Sequence, residues 1–133
     1  MNFNNARIEG FLLADDVVFQ NKDAVVSFDS LYVERSIYLN RANFNGPVSF
    51  YDAYTGAHFI GNDARFNNPN QMISFENMNV RATIYFYNAV FFQGKFFAQK
   101  KRRDYFNHIL GMLCALGNNY CSLNSMNAYS ECL

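Results

Sequence analysis

The chain has 133 residues, enough for one domain and too few for two full ones. Half of it is hydrophobic, and 11 Lys/Arg balance 11 Asp/Glu for a formal net charge of zero. That balance argues against the basic stripe of a dedicated nucleic-acid binder and against a strongly acidic nucleic-acid mimic. No apolar run approaches the roughly 20 residues of a membrane span, and no charged-then-apolar signal peptide opens the chain. A soluble, cytoplasmic globular domain is the expectation.

Phe (15) and Tyr (9) are abundant while Trp is absent, and the aromatics recur on a schedule. Val26-Ser27-Phe28, Val48-Ser49-Phe50 and Ile73-Ser74-Phe75 form one series. Val17-Val18-Phe19, Ala42-Asn43-Phe44, Ala64-Arg65-Phe66 and Ala89-Val90-Phe91 form another. Phe28 to Phe50 is 22 residues, Phe50 to Phe75 is 25 and Phe75 to Phe97 is 22. Phe19 to Phe44 is 25, Phe44 to Phe66 is 22 and Phe66 to Phe91 is 25. Two further series fill the interval: Ala6/Ile8, Leu31/Val33, Ala53/Thr55 and Met78/Val80, then Leu12/Ala14, Ile37/Leu39, Phe59/Gly61 and Ile84/Phe86.

Each repeat thus holds four apolar-x-apolar triplets separated by polar corners. A three-residue alternation is the period of an extended strand with its outer residues on one face. Four short strands and four corners per repeat describe one coil of a four-sided parallel β-solenoid, with about four coils over residues 1–97. Like positions then stack about 4.8 Å apart. Phe19, Phe44, Phe66 and Phe91 should form one interior ladder, and Phe28, Phe50, Phe75 and Phe97 another. Phe3 lies 25 residues before Phe28 and already holds a ladder position, so the first core layer is uncovered and is expected to meet another copy or more array. The longer corners, at 20–25 and 67–72, should protrude along one edge.

The best-formed units, Ala42-Asn43-Phe44-Asn45-Gly46, Pro47-Val48-Ser49-Phe50 and Asp63-Ala64-Arg65-Phe66-Asn67, resemble the pentapeptide-repeat family. In that family a small residue stands two before a central Leu or Phe on each of four faces. The resemblance covers residues 3 to 97 and implies a right-handed quadrilateral solenoid. Coils of 22 to 25 residues depart from the family's 20, and Ala14, Thr55 and Gly61 stray from its central residues. Some family members inhibit topoisomerases by imitating DNA. Residues 1–97 carry seven Lys/Arg against nine Asp/Glu, a net of −2, far from the strongly negative rod that activity needs.

After Phe97 the period becomes helical. Tyr105, Phe106, Ile109, Leu110, Met112, Leu113 and Leu116 recur at spacings of three and four, which predicts a capping α-helix over 98–117. The family often dimerises through such a segment, so a homodimer through this helix or through the uncapped first coil is expected. Residues 118–133 read as a weakly ordered polar tail.

No catalytic centre emerges, and no cofactor or metal is expected. Cys114, Cys121 and Cys132 are odd in number and not closely paired, which argues against zinc or a disulfide framework. Cys114 reads as a buried helix residue. Six positions along a helix separate it from His108, about 240° around the axis, too far for a nucleophile and its base. His58 reads as a solvated surface residue. Asp15 and Asp16 align with Asn40/Arg41, Asn62/Asp63 and Tyr87/Asn88, so no acidic pair stacks. Lys100, Lys101, Arg102 and Arg103 form one basic run at the helix start, where positive charge opposes the macrodipole. An anionic lipid surface or RNA is its candidate partner, and a solvated helix face beside Asp104 is the plain alternative.

The residues between the inward pairs form four outward columns: Arg7, Tyr32, Tyr54, Asn79; Leu13, Tyr38, Ile60, Tyr85; Val18, Asn43, Arg65, Val90; and Ser27, Ser49, Ser74, Phe96. The second is apolar or aromatic in every coil, although its residues should face water. With Tyr32 and Tyr54 on the neighbouring face, Leu13, Tyr38, Ile60 and Tyr85 are the candidate protein-binding residues. A non-enzymatic interaction scaffold is the function expected.

Overall fold

Triplets of alternating polarity are too short to hold themselves as strands, so each depends on the triplet stacked above and below it. The computed structural model describes residues 1–67, 72–91, 95–97, 121–124 and 129–132. Its strands stack as the repeat requires. One sheet runs β1 (Arg7–Ile8), β5 (Tyr32–Val33), β9 (Tyr54–Thr55), β13 (Asn79–Val80), and a second β2 (Leu12–Leu13), β6 (Ile37–Tyr38), β10 (Phe59–Ile60), β14 (Ile84–Tyr85). A third contains β3 (Val18–Phe19), β7 (Asn43–Phe44), β11 (Arg65–Phe66) and β15 (Val90–Phe91). The fourth contains β4 (Val26–Ser27), β8 (Val48–Ser49), β12 (Met72–Ser74) and β16 (Lys95–Phe97). Every pair within these four sheets is parallel, and consecutive strands always enter the next sheet. This is a four-sheet β-solenoid of four coils.

The interior is a set of aromatic ladders. Phe19, Phe44 and Phe66 stack with centroids 4.6 and 5.0 Å apart and planes within 7°. Phe3, Phe28, Phe50 and Phe75 stack at 4.9, 4.6 and 5.4 Å. Phe59 packs edge-on against the second of these ladders, at 89° to Phe50 and 90° to Phe75. Burying a Phe contributes about 1.5–3 kcal/mol, and an aromatic pair adds about 0.5–1.5 kcal/mol. Burial therefore sets most of the stability, while stacking sets the register.

The irregular core positions compensate one another. A Cβ on Gly61 would lie 2.8 Å from the Phe86 ring in the next coil, so the missing side chain makes room for that ring. Thr55 is fully buried, and its hydroxyl donates to the Arg35 carbonyl, leaving no unsatisfied donor.

Two diagonally opposite corners carry a left-handed residue in every coil. Asn5, Ser30, Asp52 and Asn77 precede the first sheet's strands, and Asp16, Arg41, Asp63 and Asn88 precede the third's, with φ from 54° to 61°. Six of these eight are Asn or Asp, the residues besides Gly that tolerate this region best. The corner side chains also bind the next coil. Asp15 Oδ1 accepts from the Asn40 amide at 2.7 Å, and Asn62 Oδ1 from the Tyr87 amide at 3.0 Å. The glycines serve a different end. A Cβ on Gly56 would lie 1.9 Å from the Glu34 carbonyl oxygen, and one on Gly46 would lie 2.2 Å from that of Asn21. Gly46 thereby admits the long corner at 20–25, where Asn21 Nδ2 donates to the Ala24 and Pro47 carbonyls. Of the second long corner, residues 68–71 lie outside the described residues.

The register corrects one ladder. β12 pairs β16 with Ile73 opposite Phe96 and Ser74 opposite Phe97. Phe96 thus aligns with Val48 and Ile73, and Phe97 takes its place in the serine column. The adjacent phenylalanines satisfy either parity, and the pairing selects the register shifted by one. The expected helix at 98–117, with Cys114 and the basic run, lies outside the described residues. Within 118–133, β17 (Cys121–Asn124) and β18 (Tyr129–Cys132) pair antiparallel.

Candidate functional site

The second sheet places Leu13, Tyr38, Ile60 and Tyr85 in one register column across all four coils. Their inward neighbours, Ile37, Phe59 and Ile84 among them, are buried, so alternation turns this column outward. Leu13 is 71% exposed and Tyr85 42%, while Tyr38 and Ile60 are half-buried between their neighbours. On the adjoining sheet Tyr32 and Tyr54 stack at 4.8 Å with planes 7° apart. The Arg7 guanidinium lies 4.5 Å from the Tyr32 ring and covers its outer face. Tyr32 is thus covered on both ring faces, by Arg7 on one side and Tyr54 on the other.

The corner between these sheets decides whether the two columns merge. In the second coil it carries the exposed charges Glu34 and Arg35. In the third it is Gly56 and Ala57, so no charged side chain separates Tyr54 from Ile60. The result is an apolar centre with charge at its margin, the arrangement of protein interfaces.

The structure adds residues to this surface that the column alone does not include. Phe11 is exposed, its ring 5.9 Å from Tyr38, with the Arg35 guanidinium 5.4 Å above it. His58 is half-buried rather than solvated: its ring rests 5.6 Å from Tyr85, and its Nδ1 accepts from the Thr83 amide at 3.3 Å. Both stand two residues before a column member, and the strand period of two puts them on the same side.

The remaining columns behave differently. Val18, Asn43, Arg65 and Val90 share a register but mix charge, amide and aliphatic groups. Two members of the serine column are buried rather than facing water, Ser49 and Ser74 at 4% exposure each, while Ser27 is half-buried. Ser49 Oγ donates to Asp29 Oδ1, which also accepts the Tyr51 amide at 3.1 Å. In the preceding coil Asn4 takes the equivalent role, accepting from Ser27 Oγ and from the Asp29 amide. At the diagonal corner Arg41 clamps Asp16 with bonds of 2.5 and 2.7 Å. That hydrogen bond, aided by the cation's charge, holds the Asp16 carboxyl below its ordinary value, and the pairing raises Arg41 in turn. Among the described residues no three His, Cys, Asp or Glu side chains gather to hold a metal. Nor is any described helix long and apolar enough to cross a membrane.

No family model, curated protein or solved structure matches this chain.

Proposed function

We propose that this chain is a non-enzymatic repeat scaffold whose outward column Leu13, Tyr38, Ile60 and Tyr85, flanked by Tyr32 and Tyr54, contacts another protein chain. The observation that carries the reading is that this one outward column is apolar or aromatic in all four coils and stays in register. A rigid solenoid presents such a column without reorganisation, so little conformational entropy is lost on contact. We also read the coils as pentapeptide-repeat-like and right-handed. The four-sheet stacking and the small residues Ala42 and Ala64 two before Phe44 and Phe66 support that assignment.

The test is light scattering coupled to gel filtration on the intact chain and a Leu13/Tyr38/Ile60/Tyr85→Ser variant, with circular dichroism confirming that both stay folded. A dimeric intact chain beside a monomeric variant makes the partner a second copy. Two monomers leave the column to a foreign protein, and the same pair becomes bait and control in a pull-down. Equal dimers place the contact elsewhere and overturn the proposal.

A second reading rests on the four consecutive cations Lys100 to Arg103. It makes the chain peripheral to an anionic membrane, and acidic-vesicle binding that does not weaken with salt would sink it.

A further inference from the structure

Eleven positions along the chain separate Cys121 from Cys132, but strand register brings them together. β17 and β18 pair antiparallel with Cys121 opposite Cys132, Ser122 opposite Glu131, Leu123 opposite Ser130 and Asn124 opposite Tyr129. Directly opposed residues of antiparallel strands have Cα atoms about 4.5–5.5 Å apart. A disulfide spans about 4.4–6.8 Å between Cα atoms, so either kind of opposed pair falls within the Cα separation it needs. We propose that Cys121 and Cys132 form a reversible disulfide that closes the terminal hairpin under oxidising conditions.

The position suits a latch. Cys121 opens the first strand and Cys132 ends the second, so the bond closes the end of the hairpin farthest from its turn, where a short ladder frays first. β18 also lies alongside β16, the last strand of the solenoid's fourth sheet, so the latch acts on the strand that adjoins the final coil.

A small disulfide such as oxidised glutathione is the oxidant. One protein thiolate attacks a glutathione sulfur, forms a mixed disulfide and expels one glutathione thiolate. The second protein thiolate attacks the protein sulfur of that mixed disulfide and expels the other glutathione. Two protein thiols are oxidised, one small disulfide is reduced to two thiols, and the two protons pass to the departing thiolates. Excess reduced glutathione runs the sequence backwards.

The test uses the full chain in excess oxidised glutathione, with remaining thiols then blocked by iodoacetamide. Chymotrypsin cuts after Tyr120, Leu123 and Tyr129, which leaves Cys121 and Cys132 on separate peptides. The expected result, in the monomer fraction, is one linked pair containing Cys121 and Cys132, with Cys114 alkylated. The unblocked chain should lose about 2 Da, the two thiol hydrogens, and regain them in reduced glutathione. Cys114→Ser should keep the link, and Cys121→Ser should leave both remaining thiols alkylated. Three alkylated thiols, a link through Cys114, or links between chains alone would overturn the proposal.

Discussion

Gly56 and Gly61 lack a Cβ for different reasons, and the difference sets how each responds to substitution. At Gly56 the obstacle is the Glu34 backbone oxygen, 1.9 Å from where a Cβ would sit, so an alanine must push two coils apart. At Gly61 it is the Phe86 ring at 2.8 Å, a side chain rather than backbone. Gly61→Ala should cost about 1–3 kcal/mol, the usual range for overpacking. Gly56→Ala should cost more, and urea midpoints for the two variants check the order. The Asp16–Arg41 pair gives a pH dependence whose sign follows from the lowered Asp16 pKa. A carboxyl with a depressed folded pKa stabilises the fold fully above its unfolded value, about 3.9, and loses that contribution as pH falls through the folded value. Arg41→Ala should therefore be less stable than the native chain at neutral pH, and the gap should narrow below about pH 4. Denaturant titrations across that range read it directly; a gap that widens in acid contradicts the pairing.

Ladders connect these residues into elements. Phe44 is sandwiched by Phe19 and Phe66 and fully buried, so Phe44→Ala removes burial and two stacking contacts together. The expected loss is about 3–5 kcal/mol, and a Phe44/Phe66 double-mutant cycle should return a coupling of about 0.5–1.5 kcal/mol. A coupling near zero would mean that the rings are buried side by side without stacking. These ladders, and three of the four outward columns, were legible in the residues because each position is repeated four times. Repetition fixes the phase even where a single triplet is ambiguous. It fails at Phe96-Phe97, where adjacent identical rings satisfy both parities and strand pairing alone selects one. It also fails for Ser49 and Ser74, whose hydroxyls look fit for water but are buried, Ser49 through its bond to Asp29. Phe11 and His58 reach the candidate surface through ring contacts with the next coil, and each stands one residue before its triplet, where a triplet pattern stops short.

At the scale of the whole molecule, the four faces divide the work. Interior ladders hold the coils, serine and corner side chains tie one coil to the next, and one outward column stays apolar from end to end. On this reading, that column is where another chain makes contact. Photo-cross-linking tests it most directly, with a benzoylphenylalanine placed at position 38 in one sample and at position 65 in another. Tyr38 lies in the column and Arg65 is exposed on the adjoining sheet, so the fold is the same and only the face differs. Covalent products are expected from position 38 and none from position 65. Products from position 65 equal to or exceeding those from position 38 would contradict it.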